Sequence, residues 1–161
     1  MTCGECAITL EDVTIQLGVP ISGPLIIAQN KEAIEITCLR YLGKVPEKTD
    51  YDRKRVKLTW LKSAFQLDGN PTDREVDCVA RAYILLLIGG MMMSDKSSTM
   101  VHTQYLPFLS LSWKAGAYSW GSTILTFLYQ EMCKAAKMSN IDGQVLNADN
   151  GGYMVLLQSL A

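Results

Sequence analysis

The stretch CVARAYILLLIGGMMM, from Cys78 to Met93, decides how this chain is organised. Its second part, residues 82–93, contains no charged residue and is interrupted only by Gly89 and Gly90. A membrane-spanning helix needs about 20 apolar residues, so this stretch is too short to cross a bilayer. We therefore predict a helix buried inside a globular domain, against which the rest of the chain packs.

Two features of this helix lead to specific predictions. Arg81 stands at its polar end, and a charge so close to a core must find a partner or reach water. Asp95, which follows the glycine pair, is the candidate partner that the sequence offers. Gly89 and Gly90 either end the helix or allow another backbone to come close. Thr72 and Glu75 match a capping box that starts the helix.

Length and composition indicate one folded domain that covers residues 1–161. Hydrophobic residues make up 48% of the chain and charged residues 19%, which excludes an intrinsically disordered protein. The formal net charge of −1 gives no overall attraction to nucleic acid. Five unevenly spaced cysteines favour a reducing compartment. No signal peptide or transmembrane span is recognisable, so we expect a cytosolic or nuclear protein.

The segments on either side of this helix predict a mainly α fold, a single compact helical domain with a small N-terminal β-hairpin-like unit. In that unit, a short helix capped by Thr9 and Asp12 ends at Gly18, and residues 7–9 pair with residues 25–27. A second amphipathic helix runs over residues 31–42. The clearest amphipathic pattern begins at Trp120 and continues by steps of three and four residues.

The last segment, residues 153–161, is apolar and stops abruptly. A domain rarely ends inside a hydrophobic helix. We therefore expect a chain that is trimmed at its C-terminus.

No residue pattern indicates a catalytic, metal or cofactor site. Cys3 and Cys6 form a CxxC pair, but a structural zinc site needs four ligands and no second pair follows. The other cysteines, Cys38, Cys78 and Cys133, lie on predicted apolar helix faces, where a thiol behaves as a small buried hydrophobe. The alternative is a nucleophilic cysteine that uses His102, the single histidine.

One basic cluster could contact phosphates. It consists of Arg53, Lys54, Arg55 and Lys57. A solvated loop is the competing interpretation, because Asp50 and Asp52 dilute the positive field. Residues 9–18 could also form the first half of a helix-turn-helix. Pro20 and Pro24 oppose the second helix that such a motif requires.

Several blocks, taken in order, resemble the plant mobile domain. This is the domain of the MAINTENANCE OF MERISTEMS-like proteins, also found in plant transposable elements and beside some plant serine/threonine phosphatase domains. The blocks are CGECAITLEDVTIQLGVPISG, VKLTWLKSAF, ARAYILLLIGGMMMSDKS, YLPFL, YSWGSTILTFLYQEMCKAA and MVLLQSL. The family motif falls on Gly4, Glu5, Asp12, Gly18, Trp60, Arg81, Tyr83, Gly89, Asp95, Trp120, Gly121, Tyr129, Leu156, Leu157 and Gln158. Most of these residues are of types that form cores and turns, so we expect structural roles for them.

The resemblance implies a nuclear, non-catalytic protein-interaction module without a cofactor. Its expected roles are silencing of transposable elements, gene expression, and maintenance of meristems and the genome. The partners implied are proteins, such as a phosphatase-like relative or another plant mobile domain protein. Two alternatives stay open. One is a DNA-binding domain of transposon origin that uses the basic cluster, and the other is a cryptic enzyme that uses Cys38, Cys78 or His102.

Overall fold

The computed structural model describes residues 7–27, 32–67, 69–94, 99–110 and 112–142. In this part of the chain, helices dominate and three short strands form one sheet. The elements are α1 (Leu10–Leu17), α2 (Ile34–Leu42), β1 (Tyr51–Asp52), β2 (Arg55–Lys57), α3 (Leu58–Ala64), α4 (Asp73–Leu87), a π-helix (Ile88–Met92), β3 (Met100–His102), a 3₁₀-helix (Thr103–Leu109), α5 (Ser112–Ala115) and α6 (Trp120–Asp142).

The predicted mainly α class with a small strand unit is confirmed, but the strands involve other residues than expected. The antiparallel sheet has the order β1-β2-β3, with Val56 opposite both Tyr51 and Val101. Residues 7–9 and 25–27 form no strand. In residues 7–9, the Ile8 carbonyl accepts from the Tyr129 hydroxyl and the Thr9 N–H donates to the Asp12 carboxylate instead.

Both predicted capping boxes are present. The Thr9 N–H donates to the Asp12 carboxylate at 2.8 Å, and the Thr72 N–H donates to Glu75 at the same distance. These hydrogen bonds lower the pKa of the Asp12 and Glu75 carboxyl groups, because they favour the charged form. Gly18 ends α1 in the left-handed conformation, with φ of 62°.

The predicted central helix exists, and one of its faces forms the middle of the core. Cys78, Ala82 and Leu85 of α4 are buried, and Ile88 extends this face into the π-helix. The Ala82, Leu85 and Ile88 side chains belong to the same hydrophobic cluster as Trp60 and Trp120, among others. The predicted burial holds for one face only, because α2, α3 and the 3₁₀-helix pack against the inner face and leave the opposite face exposed.

Gly89 allows the π-helix to cross β3 at close range. A Cβ atom added at Gly89 would lie 2.3 Å from the Cβ of Val101 and 2.7 Å from its Cγ2. The close-approach interpretation of the glycine pair is therefore correct at Gly89. A Cβ atom added at Gly90 would lie 3.7 Å from Leu58 Cδ1, which is an ordinary van der Waals contact.

Gly89→Ala should lower the free energy of unfolding by about 1–3 kcal/mol, because the added methyl overpacks the contact with Val101. Gly90→Ala is the matched control. It should be neutral or stabilising by up to about 1 kcal/mol, because alanine has the higher helix propensity and room exists. Urea unfolding of the two variants checks this. Equal effects of both substitutions would contradict the close-packing account.

The N-terminal unit packs on α6. The Gly121 N–H donates to the carbonyl of Pro20 at 2.9 Å, and an added Cβ at Gly121 would meet Ile21 Cγ2 at 2.6 Å. Farther along α6, the Tyr129 hydroxyl donates to the carbonyl of Ile8 at 2.9 Å. These contacts fix α1 and the turn after it against α6.

Arg81 connects three separate parts of the chain. Its guanidinium donates to the carbonyls of Tyr41 at 3.0 Å, Leu109 at 3.0 Å and Ser110 at 2.9 Å. It also contacts the exposed carboxylate of Asp77 at 3.4 Å. The Arg81 side chain is only 14% exposed, so these carbonyls supply most of what solvent would otherwise provide. Asp95, the partner expected from the sequence, lies outside the described residues.

Arg81→Met should lower the free energy of unfolding by about 3 kcal/mol. Methionine fills part of the space but leaves three carbonyls without their donor. Arg40→Met is the control, because Arg40 makes an exposed pair with Glu32 that should contribute less than about 1 kcal/mol. Urea unfolding measures both. A loss for Arg81→Met no larger than that for Arg40→Met would contradict this role.

Candidate interaction surface

The outer face of the central helix carries a row of exposed apolar side chains. They are Val76, Tyr83, Ile84 and Leu87 of α4 and Met91 of the π-helix, each 36% to 54% exposed. Ala80 and Gly90 are exposed between them. We call the five large side chains together with Ala80 the α4 stripe.

Helical periodicity places these side chains together. Tyr83, Ile84, Leu87 and Met91 follow Val76 by 7, 8, 11 and 15 positions. Residues with this spacing lie on the same side of a helix. The buried positions Cys78, Ala82 and Leu85 lie on the other side. The helix is therefore apolar on two opposite faces, and only one of them is covered by the described residues.

Five large side chains, each about half exposed, present on the order of 400 Å² of apolar surface. This area is comparable to the largest apolar patch on a typical monomeric domain, about 300–600 Å², and such patches are often functional. Such a surface recognises another apolar surface by exclusion of water. It offers no chemistry of its own.

The structure brings the four predicted basic residues together on one hairpin. Arg53 and Lys54 form the turn between β1 and β2, and Arg53 has φ of +55°, a conformation that favours glycine or asparagine. Arg55 pairs with Asp52 at 2.9 Å, so part of the positive charge is compensated. Lys57 lies on the same strand as Arg55. Nucleic-acid contact by this hairpin stays a prediction.

The cysteines divide into buried and exposed groups. Cys38 is fully buried, and burial raises the pKa of its thiol to about 12. Cys78 is also buried, beside Gly43 at the edge of a cavity of about 470 Å³. The expectation of a buried Cys133 is wrong, because Cys133 lies five residues after Leu128 and points away from the buried face of α6. Cys3 and Cys6 lie outside the described residues.

His102 is exposed on β3, at the rim of a cavity of about 460 Å³. In the ranges that the structure describes, no group of three or more His, Cys, Asp or Glu residues is placed to hold a metal ion. Among the same residues, no helix is long and apolar enough to span a membrane.

A comparison with protein families decides what this chain is. The family model described as plant mobile domain matches residues 1–159. The chain belongs to the plant mobile domain family. No solved structure matches it.

Three relatives from Arabidopsis thaliana show the extent of the similarity. Serine/threonine-protein phosphatase 7 long form homolog is 35% identical over 138 residues, 85% of this chain and 10% of that protein. Protein MAIN-LIKE 2 is 35% identical over 139 residues, 86% of this chain and 21% of the relative. Protein MAINTENANCE OF MERISTEMS is 31% identical over 159 residues, 97% of this chain and 32% of the relative. The chain therefore spans a third or less of these curated relatives.

Most plant mobile domain motif residues in the described part of the chain have a visible structural role. Asp12 and Gly18 cap α1, Gly89 and Gly121 allow close approaches, and Trp60 and Trp120 are buried. Arg81 and Tyr129 donate to main-chain carbonyls. Gly4, Glu5, Asp95, Leu156, Leu157 and Gln158 lie outside the described residues.

Tyr83 differs from the other plant mobile domain motif residues. Its side chain is 54% exposed and lies in the middle of the α4 stripe. The sequence reasoning missed this surface. The sequence does carry a signal for it. Residues 82–93 are too uniformly apolar for a helix with only one buried face, and too few to span a membrane.

Proposed function

We propose that this chain is a non-catalytic protein-interaction module that docks partner proteins through the α4 stripe. As a plant mobile domain, it would act in the nucleus, in silencing of transposable elements, gene expression and maintenance of meristems and the genome. Its partners would be a phosphatase-like relative or another plant mobile domain protein. The exposed apolar surface centred on Tyr83 is the observation that carries this proposal.

The packing of the described core does not account for the apolar side chains of the stripe. Exposed Leu, Ile, Met and Tyr side chains in one row gain nothing from solvent and favour association with another protein. Tyrosine is also enriched among the residues that contribute most to protein–protein binding. The stripe lies on the element that Arg81 and the core hold in place, so it is presented on a rigid helix.

The two alternative functions have weaker support. For direct DNA binding, the basic hairpin offers four cations, but Asp52 pairs with one of them. The cryptic enzyme would use Cys38, Cys78 or His102. The Cys38 thiol has a pKa of about 12 and stays protonated at neutral pH, Cys78 is buried, and His102 is exposed on β3.

Tyr83→Glu should weaken binding to a partner at least tenfold, because it places a charge in the middle of the docking surface. Binding would be measured by biolayer interferometry against two purified relatives, Serine/threonine-protein phosphatase 7 long form homolog and Protein MAIN-LIKE 2. Ile15→Glu is the matched control, since Ile15 is an exposed apolar residue of α1 outside the stripe. It should bind as the wild type does.

Three outcomes would count against the proposal. The first is equal binding of the Tyr83→Glu and Ile15→Glu variants. The second is binding to neither relative together with turnover of a small substrate by the purified chain. The third is exclusion of a fluorescent fusion of the chain from the nuclei of plant cells.

A further inference from the structure

We infer that the α4 stripe is self-complementary and binds a second copy of this chain, with the two α4 helices antiparallel across a two-fold axis. This inference rests on the proposed function and names the partner chemistry of the same surface. It follows from the order of the side chains along the helix, from the positions of the acidic residues and from the area of the stripe.

The positions of the stripe residues are symmetric about the middle of the stripe. Its midpoint falls between Tyr83 and Ile84, and Val76 and Met91 lie equally far from that point on opposite sides. Ala80 and Leu87 form a second symmetric pair. In a two-fold dimer, residue i contacts residue j of the other copy and j contacts i. Each stripe residue of one copy therefore meets an apolar stripe residue of the other.

The sizes of the paired residues also complement each other. Ala80 is the small position of the stripe, and the symmetry places it opposite Leu87 of the second copy. A small residue facing a large one lets two helices interdigitate. Tyr83 meets Ile84 of the second copy at the axis, where both side chains would lose contact with water.

The acidic residues favour the antiparallel arrangement over the parallel one. Asp73 and Asp77 both lie in the first third of α4. In a parallel pair, the Asp73 carboxylates of the two copies would stand side by side and repel each other, whereas each Asp77 carboxylate already contacts Arg81 of its own copy. In an antiparallel pair they lie at opposite ends, and each end faces the uncharged Gly90 and Met91 region of the other copy. The two helix dipoles also point in opposite directions in this arrangement, so their interaction is favourable.

The area of the stripe is small for a stable dimer. About 400 Å² per copy is roughly half of what a stable specific interface buries on each partner. The dimer should therefore be weak and reversible, and it should appear only as the protein concentration rises. A second partner protein with a larger surface could displace it, which fits an interaction module.

Opposite charges introduced at Ala80 and Leu87, which face each other across the proposed interface, test the antiparallel arrangement. Sedimentation equilibrium of the wild-type chain up to about 1 mM should show an apparent mass that rises toward twice the monomer value. Ala80→Lys and Leu87→Glu should each remain monomeric over the same range, because each places a charge against an apolar residue. An equimolar mixture of the two variants should dimerise again, since the introduced lysine of one copy meets the introduced glutamate of the other and the second contact is wild type.

Ile15→Glu serves as the control and should dimerise like the wild type. The reversed pair, Ala80→Glu with Leu87→Lys, repeats the test if a variant of the first pair does not fold. A monomeric wild type at about 1 mM, single variants that dimerise normally, or a mixture that stays monomeric would each overturn the inference. A parallel dimer gives no rescue in the mixture, because it brings position 80 against position 80.

The two proposals fail in different ways. If the wild type stays monomeric while Tyr83→Glu still weakens binding to a relative, the docking surface stands and only the second copy is excluded. If the dimer forms as described but no other protein binds, the stripe is an assembly surface and the wider partner proposal fails.

Discussion

The guanidinium of Arg81 is the contact on which this fold most depends. The carbonyls at the end of a helix have no partner within the helix, and burying them without one is costly. Arg81 donates to such a carbonyl at the end of α2, from Tyr41, and to two more at the end of the 3₁₀-helix, from Leu109 and Ser110. One planar group with five N–H donors thus replaces the water that three carbonyls in two chain segments would otherwise need.

This role of Arg81 also explains why α4 has two unlike apolar faces. The inner face carries Ala82 and Leu85 into the core, and Arg81 at its edge fixes α2 and the 3₁₀-helix on that side. No described element covers the opposite side, where Tyr83 and Leu87 lie. The helix is therefore held rigidly from within while it presents an apolar surface outward, which is the arrangement that a docking module requires.

Local features of this fold could be predicted from the sequence. The capping boxes at Thr9 and Thr72, the central helix and the close approach at Gly89 follow from patterns within a few residues. The partners of Arg81 could not be predicted, because main-chain carbonyls 28 to 40 residues away carry no side-chain signal.

The sequence signals an unusually apolar helix but not which of its faces is exposed, for a related reason. Whether a uniformly apolar helix is covered on one side or two depends on how many other elements reach it, which is a property of the whole fold. Cys133 is a different case, because its spacing of five residues from Leu128 is visible in the sequence and already places it away from the buried face of α6. The pairing of β1, β2 and β3 likewise depends on contacts that join residues 51–57 to residues 100–102.

Hydroxyl-radical footprinting of the wild-type chain tests the central claim most directly, because it compares residues of the same type on the two faces. Tyr83 and Met91 on the α4 stripe are each 54% exposed, whereas Tyr105 and Met93 in the core are 7% and 5% exposed. At a protein concentration low enough to keep the chain monomeric, we expect Tyr83 and Met91 to be oxidised much faster than Tyr105 and Met93. Equal rates within each pair, or faster oxidation of Tyr105 and Met93, would contradict an α4 helix that is buried on one face and open on the other.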